Sequence, residues 1–115
     1  MVFKDYNYKN YFRIAEAMRI YNSTAPEHKF TIIDFNILCM VRSFYINGQD
    51  FYMTNDQLAR SLLSCKKTIK NSINRLCTQG LLKKELIGTN RKEGRYLIYQ
   101  HEEVENFIAR MQFQG

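Results

Sequence analysis

The apolar positions of this chain repeat mostly at helical spacing, and they predict five helices with one small hairpin before the last. Tyr8, Tyr11, Phe12, Ala15 and Met18 recur at intervals of three and four, which predicts an amphipathic helix running to about Tyr21 and ended by Asn22-Ser23-Thr24-Ala25-Pro26. A second helix should start at Thr31, whose hydroxyl can cap the first turn while Asp34, three residues on, completes a capping box. Ile33, Ile37, Val41 and Phe44 would form its buried stripe. Asn47 to Asp50 read as a turn and Phe51-Tyr52-Met53 as a short strand. Thr54-Asn55-Asp56-Gln57 is a second capping box, opening a short helix to about Leu62 with Leu58 and Leu62 inward. After a tight break at Leu63-Ser64-Cys65, residues 66 to 79 can run as one helix stopped by Gly80, with Ile69, Ile73 and Leu76 on its core face. Residues 81–87 and 95–99 are rich in β-formers and flank a basic loop, the pattern of a hairpin. Val104, Phe107, Ile108 and Met111 predict a final helix over 102–112.

A chain of 115 residues, 45% hydrophobic and 14% aromatic, has room for one packed core and no second domain. The division expected along it is an N-terminal helix and linker (1–30), a central core (31–99) and a C-terminal helix (100–115). No apolar run approaches the roughly 18 residues that cross a bilayer, and the first residues lack the apolar stretch of a secretion signal, so a cytoplasmic protein is expected. Cys39, Cys65 and Cys77 show no CxxC spacing, and Cys65 and Cys77, read as lying on one helix, would be roughly 18 Å apart, beyond disulfide reach. They read as reduced thiols. His28 and His101 have no partner at a familiar catalytic spacing. The reading is a non-enzyme with no metal and no cofactor.

Charge changes the picture more than composition does. The net charge is +6, yet residues 60–95 alone carry ten Lys and Arg against Glu85 and Glu93, while residues 1–59 balance to zero. A local excess of this kind draws polyanions to one surface. On the helix expected over 66–79, Lys67, Lys70, Asn71, Asn74 and Thr78 fall on the side away from Ile69, and that side has no acid. Lysine neutralises phosphate or donates to guanine edges, and an Asn amide can match the adenine edge in the major groove. Lys66, Lys67 and Lys70 also crowd a helix start, where the dipole is positive and like charges at i,i+4 repel, a conflict that an anionic ligand would relieve. Arg91, Lys92 and Arg95, in and beside the hairpin loop, form the expected second half of the site. Tyr52, Tyr96 and Tyr99 could stack on bases but read more naturally as sheet packing.

Residues 56–69, DQLARSLLSCKKTI, resemble the winged helix-turn-helix signature in which xxLAxxL, a short turn and SxxTV join the positioning and recognition helices. Residues 73–82, INRLCTQGLL, resemble the IxxLxxxGLL that closes the recognition helix and enters the wing. Two positions depart from the pattern: Cys65 stands where a capping Ser is common, and Leu63 replaces the usual turn Gly. The resemblance spans about residues 31–99 and implies a mainly α fold with a small β-hairpin wing, here with additional N- and C-terminal helices. It implies recognition residues at Lys66, Lys67, Thr68, Lys70, Asn71 and Asn74, and it assigns Arg91, Lys92 and Arg95 to the wing.

Within that family the run DFYMTNDQLA, residues 50–59, resembles the approach to the second helix in the DNA-binding domains of plasmid and phage replication initiators, and the freestanding form resembles small regulators and plasmid partition adaptors. The function so implied is sequence-specific binding of double-stranded DNA, in transcription regulation or in DNA replication or partition of a mobile element. A single-strand-binding replication accessory protein and a winged-helix protein-interaction module are the alternatives. The end helices, with Phe12, Met18, Phe107 and Met111 as apolar anchors, are expected to build a homodimer matching a two-fold DNA site.

Overall fold

The structure is a computed structural model that describes residues 8–24, 27, 29–86 and 95–112. In chain order it has α1 (Tyr8–Thr24), α2 (Ile32–Ile46), α3 (Asn55–Ser61), α4 (Lys66–Thr78), strand β1 (Leu82–Leu86), strand β2 (Arg95–Tyr99) and α5 (His101–Gln112). Helices α2, α3 and α4 pack together, the β1–β2 hairpin lies against α2 and α4, and α1 pairs with α5. Among the described residues no helix is long and apolar enough to cross a membrane.

Local chemistry sets the helix starts. Thr31 and Thr54 both form full capping boxes, with Asp34 and Gln57 returning the bond to the backbone of the capping threonine. Three helix ends share one device, in which the chain enters the left-handed region and an amide reaches back five residues. Gln49 donates to Phe44, Ser64 to Ala59 and Leu81 to Leu76, at 2.8, 2.9 and 3.0 Å. The left-handed residues are Gly48, Leu63 and Gly80. Glycine adopts that conformation freely, whereas Leu63, at φ +53°, carries a Cβ penalty of about 1 kcal/mol.

The core is continuous through all five helices and the hairpin. Ile37, Leu38 and Val41 of α2, Leu58 of α3, Ile69, Ile73 and Leu76 of α4, Leu82 and Leu97 of the hairpin, and Val104, Phe107 and Ile108 of α5 are all buried. Each such side chain contributes about 1.5–3 kcal/mol by leaving water. β1 and β2 pair antiparallel from Leu82 with Tyr99 to Leu86 with Arg95.

Three expectations change. α1 turns a different stripe inward: Ile14, Ala17 and Met18 are buried, while Phe12 is 71% exposed. Apolar residues lie on two sides of this helix, and packing against α5 selects one. α1 also continues through Asn22, Ser23 and Thr24, where the Ser23 and Thr24 hydroxyls donate back to the Ile20 carbonyl. Phe51–Met53 is not a strand but a single bridge, Phe51 to Leu97, because Phe51 is drawn into the core against Phe44 and the chain then leaves for the Thr54 cap.

Candidate nucleic-acid interface

α4 has two unlike faces. Inward it presents Ile69, Ser72, Ile73 and Leu76, all buried. Outward it presents Lys66, Lys67, Lys70, Asn71, Asn74 and Thr78, all exposed. Among the described residues, no carboxylate or carbonyl holds the side chains of Lys67, Lys70, Asn71 or Asn74, so their donors face water. The first turn of α4 contains no acid, and Cys65 places no hydrogen-bonding cap on it, so positive dipole and lysine charge add at this end. Lys66 is shared: its Nζ lies 3.5 Å from Asp56 Oδ1 in the first turn of α3. Thr68 is half-buried, and its hydroxyl lies 3.2 Å from Cys65 Sγ. That hydrogen bond lowers the pKa of the exposed Cys65 thiol. Burial does the opposite elsewhere, pushing Cys39 up to about 12 and raising Cys77.

A buried carboxylate ties α4 to the start of α2. Asp34 is fully buried, and its two oxygens accept from the Thr31 amide and hydroxyl, the Ser72 hydroxyl, and Arg75 Nε and Nη2. The two Arg75 bonds are 2.7 and 2.9 Å, a bidentate pair that raises the Arg75 pKa. Asp34 read in sequence as half of a capping box; that it also grips a helix about forty residues away had no local signal.

The nine residues expected to meet DNA therefore separate. Lys66, Lys67, Lys70, Asn71 and Asn74 share one exposed face, with Thr68 at its edge. Arg91 and Lys92 lie outside the described residues. Arg95 points inward: Nη1 donates to the Met53 carbonyl and Nη2 to Asn55 Oδ1, both at 2.6 Å, and burial lowers its pKa. Its donors fasten the root of the hairpin to the start of α3, which leaves little for a phosphate. Lys84 was not expected as a site residue. It lies on the strand face shared with Leu82, close enough to Cys77 in the last turn of α4 to offset part of the effect of burial on that thiol. It adds an exposed cation at the far end of the helix.

The tyrosines are committed to the protein. Tyr99 is buried, and burial pushes its pKa up to about 12. The Tyr52 and Tyr96 rings sit 5.6 Å apart, with their hydroxyls on Asp50 and Glu85. A single strand stacking there would run beside two carboxylates.

Helices α2, α3 and α4 with the β1–β2 hairpin form a winged helix-turn-helix, to which α1 and α5 are added. Against family models and against curated proteins the sequence has no match. Solved structures do match. The adhesin competence repressor AdcR of Streptococcus pyogenes superposes with a TM-score of 0.52 at 17% identity, over 92% of this chain and 70% of that one. The transcriptional regulator Tm0710 of Thermotoga maritima gives 0.50 at 16%, over 92% and 68%. MepR of Staphylococcus aureus, bound to ethidium bromide, gives 0.50 at 11%, over 96% and 79%. These three are similar to this chain in fold.

Proposed function

We propose that this protein binds double-stranded DNA sequence-specifically and acts as a transcriptional regulator. The observation that carries the reading is the outward face of α4: three lysines and two asparagines, exposed and without an acid, on a helix whose other face is locked into the core. Lysines there suit phosphates, and the amides of Asn71 and Asn74 suit base edges. Fold neighbours that are themselves a repressor and regulators support transcription over replication or partition. Selection of bound fragments from random duplex DNA tests it. Lys67→Ala with Lys70→Ala should weaken binding to every duplex and reduce the log-log salt slope by about 0.9 for each phosphate no longer neutralised. Asn71→Ala or Asn74→Ala should instead blur sequence preference by about 1–3 kcal/mol for each base read. Affinity unchanged in the lysine double variant would end the assignment.

The protein works as a two-fold dimer in this reading. Met18, Phe107 and Met111 belong to the core of their own chain, which leaves Phe12 as the outward anchor. It borders a groove of about 240 Å³ lined by Ala17, Ile20, Ile108 and Met111. Phe12→Ser should shift the solution mass toward the monomer, and a monomeric wild type at micromolar concentration would remove the dimer.

A further inference from the structure

α1 and α5 pack away from the outward face of α4, yet hydrogen bonds, ring contacts and the short chain link from Phe30 to Thr31 lead from one to the other. At the end of α1, the Asn22 side chain holds both backbone groups of Phe30: Nδ2 donates to the Phe30 carbonyl at 2.8 Å, and Oδ1 accepts from the Phe30 amide at 2.7 Å. The buried Phe30 ring packs on Tyr21 of α1 at 5.0 Å and edge-on against Phe107 of α5 at 5.7 Å, so both end helices grip this residue. The next residue is Thr31, which caps α2 and donates twice to Asp34. Asp34 in turn takes Ser72 and Arg75 of α4. Ser72 and Arg75 alternate along the helix with Asn71 and Asn74, which face outward, so a rotation of α4 about its axis moves both sets together.

We infer that Asn22, Phe30 and Asp34 form a relay that sets the pose of the recognition helix from the position of the α1/α5 layer. Asn22 and Asp34 are positioning residues for DNA binding, acting through Ser72 and Arg75. The inference rests on the DNA-binding reading for its consequence, but the coupling itself is a property of the free protein. Because its ring touches both helices, Phe30 feels a displacement of α1 against α5. A carboxylate holding five donors tolerates little adjustment at one end without a response at the other.

The experiment uses Asn22→Ala in the full chain, because Asp34→Asn removes a buried charge and could unfold it. Ser43→Ala is the control: Ser43 also contacts α1, through the Tyr11 hydroxyl at 3.0 Å, but lies off the relay. Binding is measured at fixed salt to a duplex enriched by selection and to a random-sequence duplex, and hydrogen exchange is followed at the α4 amides without DNA. Asn22→Ala should lose about tenfold in affinity for the selected duplex, keep its affinity for the random one, and speed exchange in α4. Ser43→Ala should do none of these. An Asn22→Ala protein with unchanged affinity ratio and unchanged α4 exchange overturns the relay, as does a Ser43→Ala protein that matches it. If the wild type binds no duplex, the DNA reading fails, and α4 exchange alone decides the relay.

Discussion

Thr31 and Thr54 begin helices in the same way, yet the two capping boxes do different work. At Thr54 the capping box itself stays local: the hydroxyl accepts from the Gln57 amide at 3.1 Å, the Gln57 side chain returns the bond at 2.9 Å, and both residues are exposed. Around Thr31 the third residue is Asp, it is fully buried, and three of its five bonds leave for α4. A neutral amide satisfies a helix end and stops there. A carboxylate in the same position has lone pairs and charge left over, and burial obliges the protein to meet both, here with an arginine from another helix.

That contrast can be broken by substitution. Asp34→Ala should cost about 3 kcal/mol in urea denaturation, since it strips the cap and leaves Arg75 without its carboxylate; a loss below about 1 kcal/mol would reduce Asp34 to an ordinary cap. Thr54→Ala should cost about 1 kcal/mol by the same measurement, the usual worth of a cap. Cys65 sharpens the comparison as a helix start with no capping bond. Cys65→Ser should gain about 0.5–1 kcal/mol, visible as a higher denaturation midpoint, by supplying the oxygen that a thiol lacks. A smaller gain, about 0.5 kcal/mol, is expected from Leu63→Gly, where relief of the left-handed φ is partly offset by the freedom glycine has when unfolded. Thiol chemistry gives a check that needs no substitution. Exposed and with a lowered pKa, Cys65 should be alkylated first at pH 8. Cys39, half-buried with its pKa pushed up to about 12, should remain protonated and react last.

The elements that were legible in sequence are those governed by near neighbours. Both capping boxes, the Gly80 stop and the Ile69, Ile73, Leu76 stripe follow from spacing alone, and with them the separation of α4 into an apolar and a basic face. The exposed face of α4, the candidate site, was legible for the same reason, because a 3.6-residue period leaves Lys67, Lys70, Asn71 and Asn74 nowhere else to point once Ile69 and Ile73 are buried. Long-range partners were not legible. Arg95 has the composition of a wing cation, but its direction depends on the Met53 carbonyl and Asn55 some forty positions earlier. Phe12 and Met18 are both apolar on one helix, and only the docking of α5 decides which is covered.

The two-stranded hairpin has a consequence for how copies of this protein behave when crowded. Among the described residues the sheet is a two-stranded ribbon, with β1 at its open margin. Open margins are templates on which further chains add by backbone pairing and grow into insoluble stacks. Lys83, Lys84 and Glu85 occupy the middle of that margin, and a second ribbon approaching it would bring lysine against lysine. The same short run of charge thus serves as a guard against aggregation.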